Sequence, residues 1–364
     1  MRTGPQARFK RAMAAFILAA LAGACAREEI GPAKYSAETC RRVALVDQAT
    51  GVALRGAEDF AVDTLRRRLY VAAYDRRAAE RAASKKAMKV PQGGIYAVSL
   101  DALFDPSAEK AEARPIVSGD DIAGGVRPQA VSYNERSGEI AFINRAYQKI
   151  NGGWLMTPRI ERVGANGEAF IGADEPAPCS ANSILDEAGL TLVSFDHAEC
   201  GFGAGFEDAF RLKRSGVVGA GGDILFAEAV YANGLARTLG GDVALAATRE
   251  NAIILMRKSP EGLTETARIA LPGGPDNLKI AEDGGVIAAV HPSMFRIFLN
   301  RRLGVGEAPS RIVKADPERG DVSILFDDDS GKSFSAATAA VELEGRLIAG
   351  SVTDMGLLVC KAGA

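Results

Sequence analysis

An all-β fold, a six-bladed β-propeller, is what this sequence predicts, on three observations. Its 40 glycines and 15 prolines interrupt the chain too often for long helices and suit many short strands joined by turns. One short motif returns along the chain at intervals of roughly 40–70 residues, the length of a four-stranded blade with variable loops. Behind each return lies an aliphatic run that reads as a second strand.

The motif is a small residue or proline, a polar residue, and an apolar residue two places later. It stands at Ala57-Glu58-Asp59-Phe60, Pro128-Gln129-Ala130-Val131, Ala181-Asn182-Ser183-Ile184, Ala232-Asn233-Gly234-Leu235 and Pro275-Asp276-Asn277-Leu278, with a degenerate sixth copy at Ala336-Ala337-Thr338-Ala339. Companion runs such as Arg68-Leu69-Tyr70-Val71-Ala72 and Glu139-Ile140-Ala141-Phe142-Ile143 follow through turns that carry Gly or Asp, as hairpins require. The stretch from Arg76 to Lys89, rich in Arg, Lys and Ala, reads as a solvated loop or short helix.

Ahead of the repeats, Arg2, Arg8, Lys10 and Arg11 precede an apolar run from Met13 to Leu21 that ends in Ala22, Gly23 and Ala24, the pattern of an export signal. That run is shorter than the roughly 20 residues needed to cross a bilayer, and no later segment reaches that length without charge. Ala22-Gly23-Ala24-Cys25 is similar to a bacterial lipoprotein box. Residues 1–25 therefore read as a signal peptide, either of the lipoprotein type with Cys25 as its lipidation site or simply cleaved to release a soluble form, 26–39 as a linker and 40–364 as the propeller. The expected location is the periplasm or the cell exterior, with a membrane touched only through that anchor. Four cysteines remain, and an even number in an exported chain favours disulfides. A net charge of -2 lacks the basic footprint of a nucleic-acid binder.

Put in register on its apolar residue, the motif places Glu58, Gln129, Asn182, Asn233 and Asp276 at one equivalent position, and each bears a side-chain oxygen. Rotation about a propeller's channel relates such positions, so the five oxygens are expected to converge at its mouth. Calcium takes about 6–8 oxygen ligands and accepts a mixture of carboxylates and amides. Zinc would recruit His or Cys, which these positions lack. The charges of Glu58 and Asp276 would balance the ion, with Asn277 adjacent.

These residues resemble the serum paraoxonase/arylesterase family, within the wider gluconolactonase-like group of calcium-dependent propeller lactonases. The matching stretches are Gly56-Ala57-Glu58-Asp59, Ala181-Asn182 with Phe195-Asp196-His197, Tyr231-Ala232-Asn233-Gly234, Asp276-Asn277 and His291-Pro292, over roughly Cys40 to Cys360. The resemblance implies a catalytic calcium held by Glu58, Asn182, Asn233, Asp276 and Asn277. It implies a second, structural calcium at the positions of Asp59, Val131 and Ser183, where Ser183 departs from the family's aspartate. It also implies a disulfide between Cys40 and Cys360. Cys179 and Cys200 bracket the third blade's inner hairpin and stand as a second bridge or as free thiols.

The largest departure concerns the family's histidine dyad, whose positions here fall in Pro128-Gln129-Ala130 and Asn144-Arg145-Ala146. Neither Gln nor Arg accepts a proton near neutral pH. The chain's two histidines, His197 and His291, both lie on matching stretches. Two readings follow. As an enzyme, the protein would hydrolyse a small lactone or ester on its calcium, with Glu58, Asp276, His291 or His197 serving the reaction. As a binding module or scaffold, calcium would only brace the inner strands.

Overall fold

The computed structural model describes residues 31–166, 175–187 and 189–363. The export signal and Cys25 lie outside the described residues. Among these residues, 24 strands form six antiparallel blades of four, so the chain is the propeller that its repeats predict. The innermost strands are Ala57–Asp63, Pro128–Asn134, Ala181–Glu187, Ala232–Arg237, Gly274–Ile280 and Ala337–Leu343. Each is buried along nearly its whole length because neighbouring blades cover both of its faces. That burial explains the second strands, where Val243–Ala247 and Val286–His291 are wholly buried and read as continuous apolar runs, not as alternating ones.

The core lies between blades. Phe60, Leu69, Val71 and Val98 of the first blade pack on Val341 and Ile348 of the sixth. Ile287, Ile312 and Phe326 of the fifth pack on Leu347 and Leu358 of the sixth. The ring closes where the chain's first strand, Cys40–Asp47, becomes the outer strand of the last blade and pairs antiparallel with Leu357–Lys361. Cys40 lies opposite Cys360 in that ladder, and the two form a disulfide. Within the segment read as a linker, Tyr35 is already buried against the fifth and sixth blades and donates to Glu342 Oε1 at 2.7 Å.

Cys179 and Cys200 are joined as well, so the third blade carries a bridge and not free thiols. Two disulfides belong to a chain that matures under oxidising conditions. Among the described residues, no helix is long and apolar enough to cross a membrane.

The sixth repeat needs a correction. Its inner strand pairs Ala337 with Ser351 and then slips to Ala339 opposite Gly350, as the first pairs Ala57 with Ala73 and slips to Asp59 opposite Ala72. Thr338, not Ala337, therefore occupies the position of Glu58.

Replacing Cys40 and Cys360 by alanine is expected to cost about 2–5 kcal/mol, since the bond closes nearly the whole chain into one loop. Urea denaturation of the variant measures this; an unshifted midpoint would show that strand pairing alone closes the ring.

Candidate active site at the channel mouth

Every inner strand is irregular at the same place. In the first, second and sixth blades Glu58, Gln129 and Thr338 are the extra residue of a bulge; in the third, fourth and fifth the irregularity spans Asn182-Ser183, Asn233-Gly234 and Asp276-Asn277. A bulge bends the strand and re-aims its side chain, which is how six equivalent residues are turned toward one axis. Two glycines make the geometry accessible. Gly56 enters the first inner strand at φ +71°, where a Cβ would stand 2.3 Å from Tyr74 O. Gly234 lets the fourth strand approach the fifth, since its Cβ would stand 2.5 Å from Asp276 O.

Glu58, Gln129, Asn182, Asn233, Asp276 and Thr338 all line one cavity of about 560 Å³. A second register surrounds them. The residue that follows the first strand partner in each blade is Tyr74, Arg145, Asp196, Thr248, His291 and Val352 in turn, and all but Tyr74 line the same cavity. Loops between second and third strands emerge at this face, and among the described residues three carry α-helices: Arg76–Ser84, Phe202–Phe210, and Met294–Phe298 continued by a π-helical turn, Leu299–Leu303. A larger, open cleft of about 780 Å³ lies at the opposite hairpins of blades four and five, where Asp242 and Asp283 are already paired to Arg257 and Lys314.

The sequence-predicted oxygens are brought together and bonded to each other. Gln129 Nε2 donates to Glu58 Oε1 at 2.9 Å and Asn182 Oδ1 at 3.1 Å, and Asn182 Nδ2 donates to Asp196 Oδ2 at 3.1 Å. Asn233 Nδ2 donates to Asp276 Oδ1 at 2.7 Å, while His291 Nε2 lies 2.9 Å from Asp276 Oδ2. Asn277 sits below them, its Nδ2 donating to Glu58 O at 3.2 Å. Once the amide nitrogens are spent in this way, Gln129 Oε1, Asn233 Oδ1 and Asn277 Oδ1 are buried without a hydrogen-bond partner. Unpartnered buried oxygens beside two carboxylates are a donor set that fits a hard cation.

Two basic side chains already stand among these donors. Arg76 Nη2 pairs with Glu58 Oε2 at 2.8 Å, each side chain only 4% exposed. Lys279 Nζ pairs with Asp59 Oδ1 at 2.8 Å, and Asp59 Oδ2 accepts the Val131 N–H at 3.0 Å. Ser183 Oγ accepts from the Leu235 N–H at 3.2 Å. Asp59, Val131 and Ser183 therefore do not fit a second ion, because an ammonium already neutralises their one carboxylate. At Glu58 a cation would share its carboxylate with a guanidinium.

The histidines differ. His291 is buried, with Nδ1 unpartnered. His197 lies 2.6 Å from Asp196 Oδ1 through Nδ1 and 3.4 Å from Asp208 Oδ2 through Nε2. Burial works against its charged form, yet the hydrogen bonds to those two carboxylates outweigh it and lift its pKa to about 10. His197 is thus an imidazolium at neutral pH and cannot take a proton from water, which removes it from the candidate bases. Glu80 shows the reverse. Its burial favours the neutral form, but Arg301, Arg76, Arg302 and Arg145 pull its pKa down to about 2.

The residues missed from the sequence are the basic ones. Arg76 opens a helix capped by Asp75, whose Oδ1 accepts the Ala78 N–H at 2.9 Å, so its stretch is not merely a solvated face. Arg145 and Asp196 could have been found by carrying the repeat register onto the second strands. For Arg301 and Arg302, on a rim turn with no counterpart in other blades, the sequence offers no such signal.

No family model matches the chain, and no curated protein matches it. Among solved structures, one assigned provisionally as a gluconolactonase is similar over 92% of this chain and 94% of its own, at 14% identity and a TM-score of 0.53. A virginiamycin B lyase from Staphylococcus aureus matches over 86% of this chain and 81% of its own, at 13% identity and a TM-score of 0.43. The first of these shares the propeller fold.

Two outcomes are expected. Because the folded pKa of His197 lies above its ordinary 6.5, its contribution to stability is complete below about pH 6.5 and fades as pH rises through about 10; melting temperatures of the wild type should fall across that window more than those of His197→Gln, and parallel curves would refute the charged pair. Lys279→Met should cost about 3 kcal/mol by leaving Asp59 buried alone, while adding Asp59→Asn recovers most of it; additive losses in chemical denaturation would show that the two side chains are not coupled.

Proposed function

We propose that this chain hydrolyses lactones or carboxylic esters at the mouth of its channel, with a calcium ion bound there. One observation carries the reading: two carboxylates, Glu58 and Asp276, stand with three unpartnered buried amide oxygens at the head of a single channel. The fold shared with a structure assigned to the gluconolactonases supports the same reaction class. Asp276, Asn233 and Asn277 would hold the ion, Asn182 would join them once its oxygen is released by Gln129 Nε2, and Glu58 would divide its charge between the ion and Arg76. When bound, a divalent ion polarises a carbonyl and stabilises the oxyanion that forms on attack.

The rest of the chemistry belongs to the chain's own side chains. Asp276 Oδ2 fixes the His291 ring through Nε2 and leaves Nδ1 buried without a hydrogen-bond partner, the nitrogen that would take a proton from an attacking water once substrate and water enter beside it. With Gln129 and Arg145 at the dyad positions and His197 held as an imidazolium, His291 is the imidazole at this mouth that would serve as base. Asn233 holds Asp276 from the other side, so the carboxylate keeps its orientation toward the ring. Ile297 and Met294 of the rim helix cover the cavity with apolar surface, which weakens competition from bulk water.

A binding module without catalysis is the second reading, favoured by the Arg76–Glu58 pair, which already neutralises one carboxylate. A panel of γ- and δ-lactones and aryl esters, assayed with calcium and after its removal, separates the two. Turnover should depend on calcium and fall at least about a hundredfold in Asp276→Asn. Thermal stabilisation by calcium without turnover on any substrate would establish the module instead, and turnover indifferent to calcium would remove the ion from the reaction.

A further inference from the structure

The charge distribution within the same cavity points to what its ligand carries, an inference that rests on reading this cavity as the site of reaction. Five arginines line the cavity; Arg249 stands 3.9 Å from Asp208, and the other four, Arg76, Arg145, Arg301 and Arg302, all act on Glu80, with Glu58 the second carboxylate among them. Arg76 is taken by Glu58 at 2.8 Å; Arg302 and Arg301 share Glu80 at 2.7 and 3.2 Å. Arg145 is left over. Among the described residues its side chain has no ion pair or hydrogen bond, and its buried Nε, like that of Arg301, lacks a partner.

The cavity's other carboxylates are engaged elsewhere. Asp196 and Asp208 hold His197, Glu199 lies 3.5 Å from Arg214, and Asp276 is bound by His291 and Asn233. None of them reaches Arg145 with a hydrogen bond. A guanidinium left half-desolvated without an anion is costly, and native proteins retain one where a ligand supplies the missing charge. Its planar fork matches a carboxylate or a phosphate through two parallel N–H bonds.

We propose that Arg145, supported by Arg301, binds an oxyanion group of the ligand, so that the substrate is a lactone or ester bearing a carboxylate or a phosphate. The position suits the task. Arg145 lies on the strand Glu139–Ile150, its backbone N–H held by Arg127 O at 2.9 Å, and so presents its charge from the rigid frame.

Calorimetric titration of succinate and, separately, of inorganic phosphate into the metal-free full chain tests this. At least one should bind with a dissociation constant in the millimolar range or below, weakened tenfold or more in Arg145→Gln and partly restored in Arg145→Lys; the anion that binds identifies the group. The melting temperature of unliganded Arg145→Gln should stay close to or exceed that of the wild type, because Arg145 makes no hydrogen bond or ion pair among the described residues and acts on Glu80 only at a distance. Affinity unchanged in Arg145→Gln, no binding of either anion, or a melting temperature well below the wild type would overturn the proposal. Binding is read without turnover, so an inactive protein that binds anions refutes hydrolysis alone. Turnover of uncharged lactones that ignores Arg145→Gln, with no anion binding, refutes only this assignment.

Discussion

A ring of blades aims its inner strands at a common axis only if its last blade is joined to its first, and here that joint is the pairing of Cys40–Asp47 with Leu357–Lys361. The pairing completes the sixth blade with a strand from the other end of the propeller, so the distance between blades is set by strand hydrogen bonds and not by surface packing. All later geometry depends on it. Glu58 and Asn277 belong to the first and fifth blades, and the bond from Asn277 Nδ2 to Glu58 O exists only because the sixth blade is held between them. Thr338 of that sixth blade donates to the same carbonyl at 2.7 Å, tying all three together.

Within the closed ring, convergence creates an electrostatic problem. Bulges that turn polar residues toward one axis also crowd Glu58, Asp59 and Asp276 into a small, poorly solvated volume. Desolvated like charges must be protonated, paired or bound to a cation. This chain answers partly with its own side chains: Lys279 reaches Asp59 from the fifth blade and Arg76 reaches Glu58 from a rim helix. Burial still pushes the Asp59 carboxyl above its ordinary pKa, against the pull of Lys279 and the Val131 N–H. Asp276 is the carboxylate without a fixed cation of this kind, held by an amide and an imidazole, and so the place where an ion finds most charge to balance.

How much of this is legible in the sequence follows from what repeats. The blades and five of the inner oxygens can be read because rotation imposes one pattern on six segments, and a single residue need not carry the inference. The sixth copy misaligns by one because Ala336-Ala337-Thr338-Ala339 offers small residues at each step, and only the strand pairing of Ala337 with Ser351 sets the register. Lys279 is hidden for another reason. On an inner strand it reads as an outward polar residue, yet its four-carbon stem runs past Phe60, with Nζ 5.9 Å from the ring centre, to a buried carboxylate. Arg76, Glu80 and Arg301 belong to inserts that no repeat constrains, so their meeting over the channel is a fact of three dimensions alone.

The cavity that results is electrically divided, and the division orients whatever enters it. Over the first and second blades stand Arg76 and Arg145, with Arg301 reaching in from the rim; Asp276 with His291 belongs to the fifth blade, and the closed cluster of Asp196, His197 and Asp208 belongs to the third, where the two carboxylates are already held by the imidazole. The proposed ligand, with one anionic end, would be favoured in one orientation by such a field, its charge toward Arg145 and its neutral end toward Asp276. Orientation of this kind lowers a barrier without adding a catalytic group, because it converts random encounters into one reactive pose.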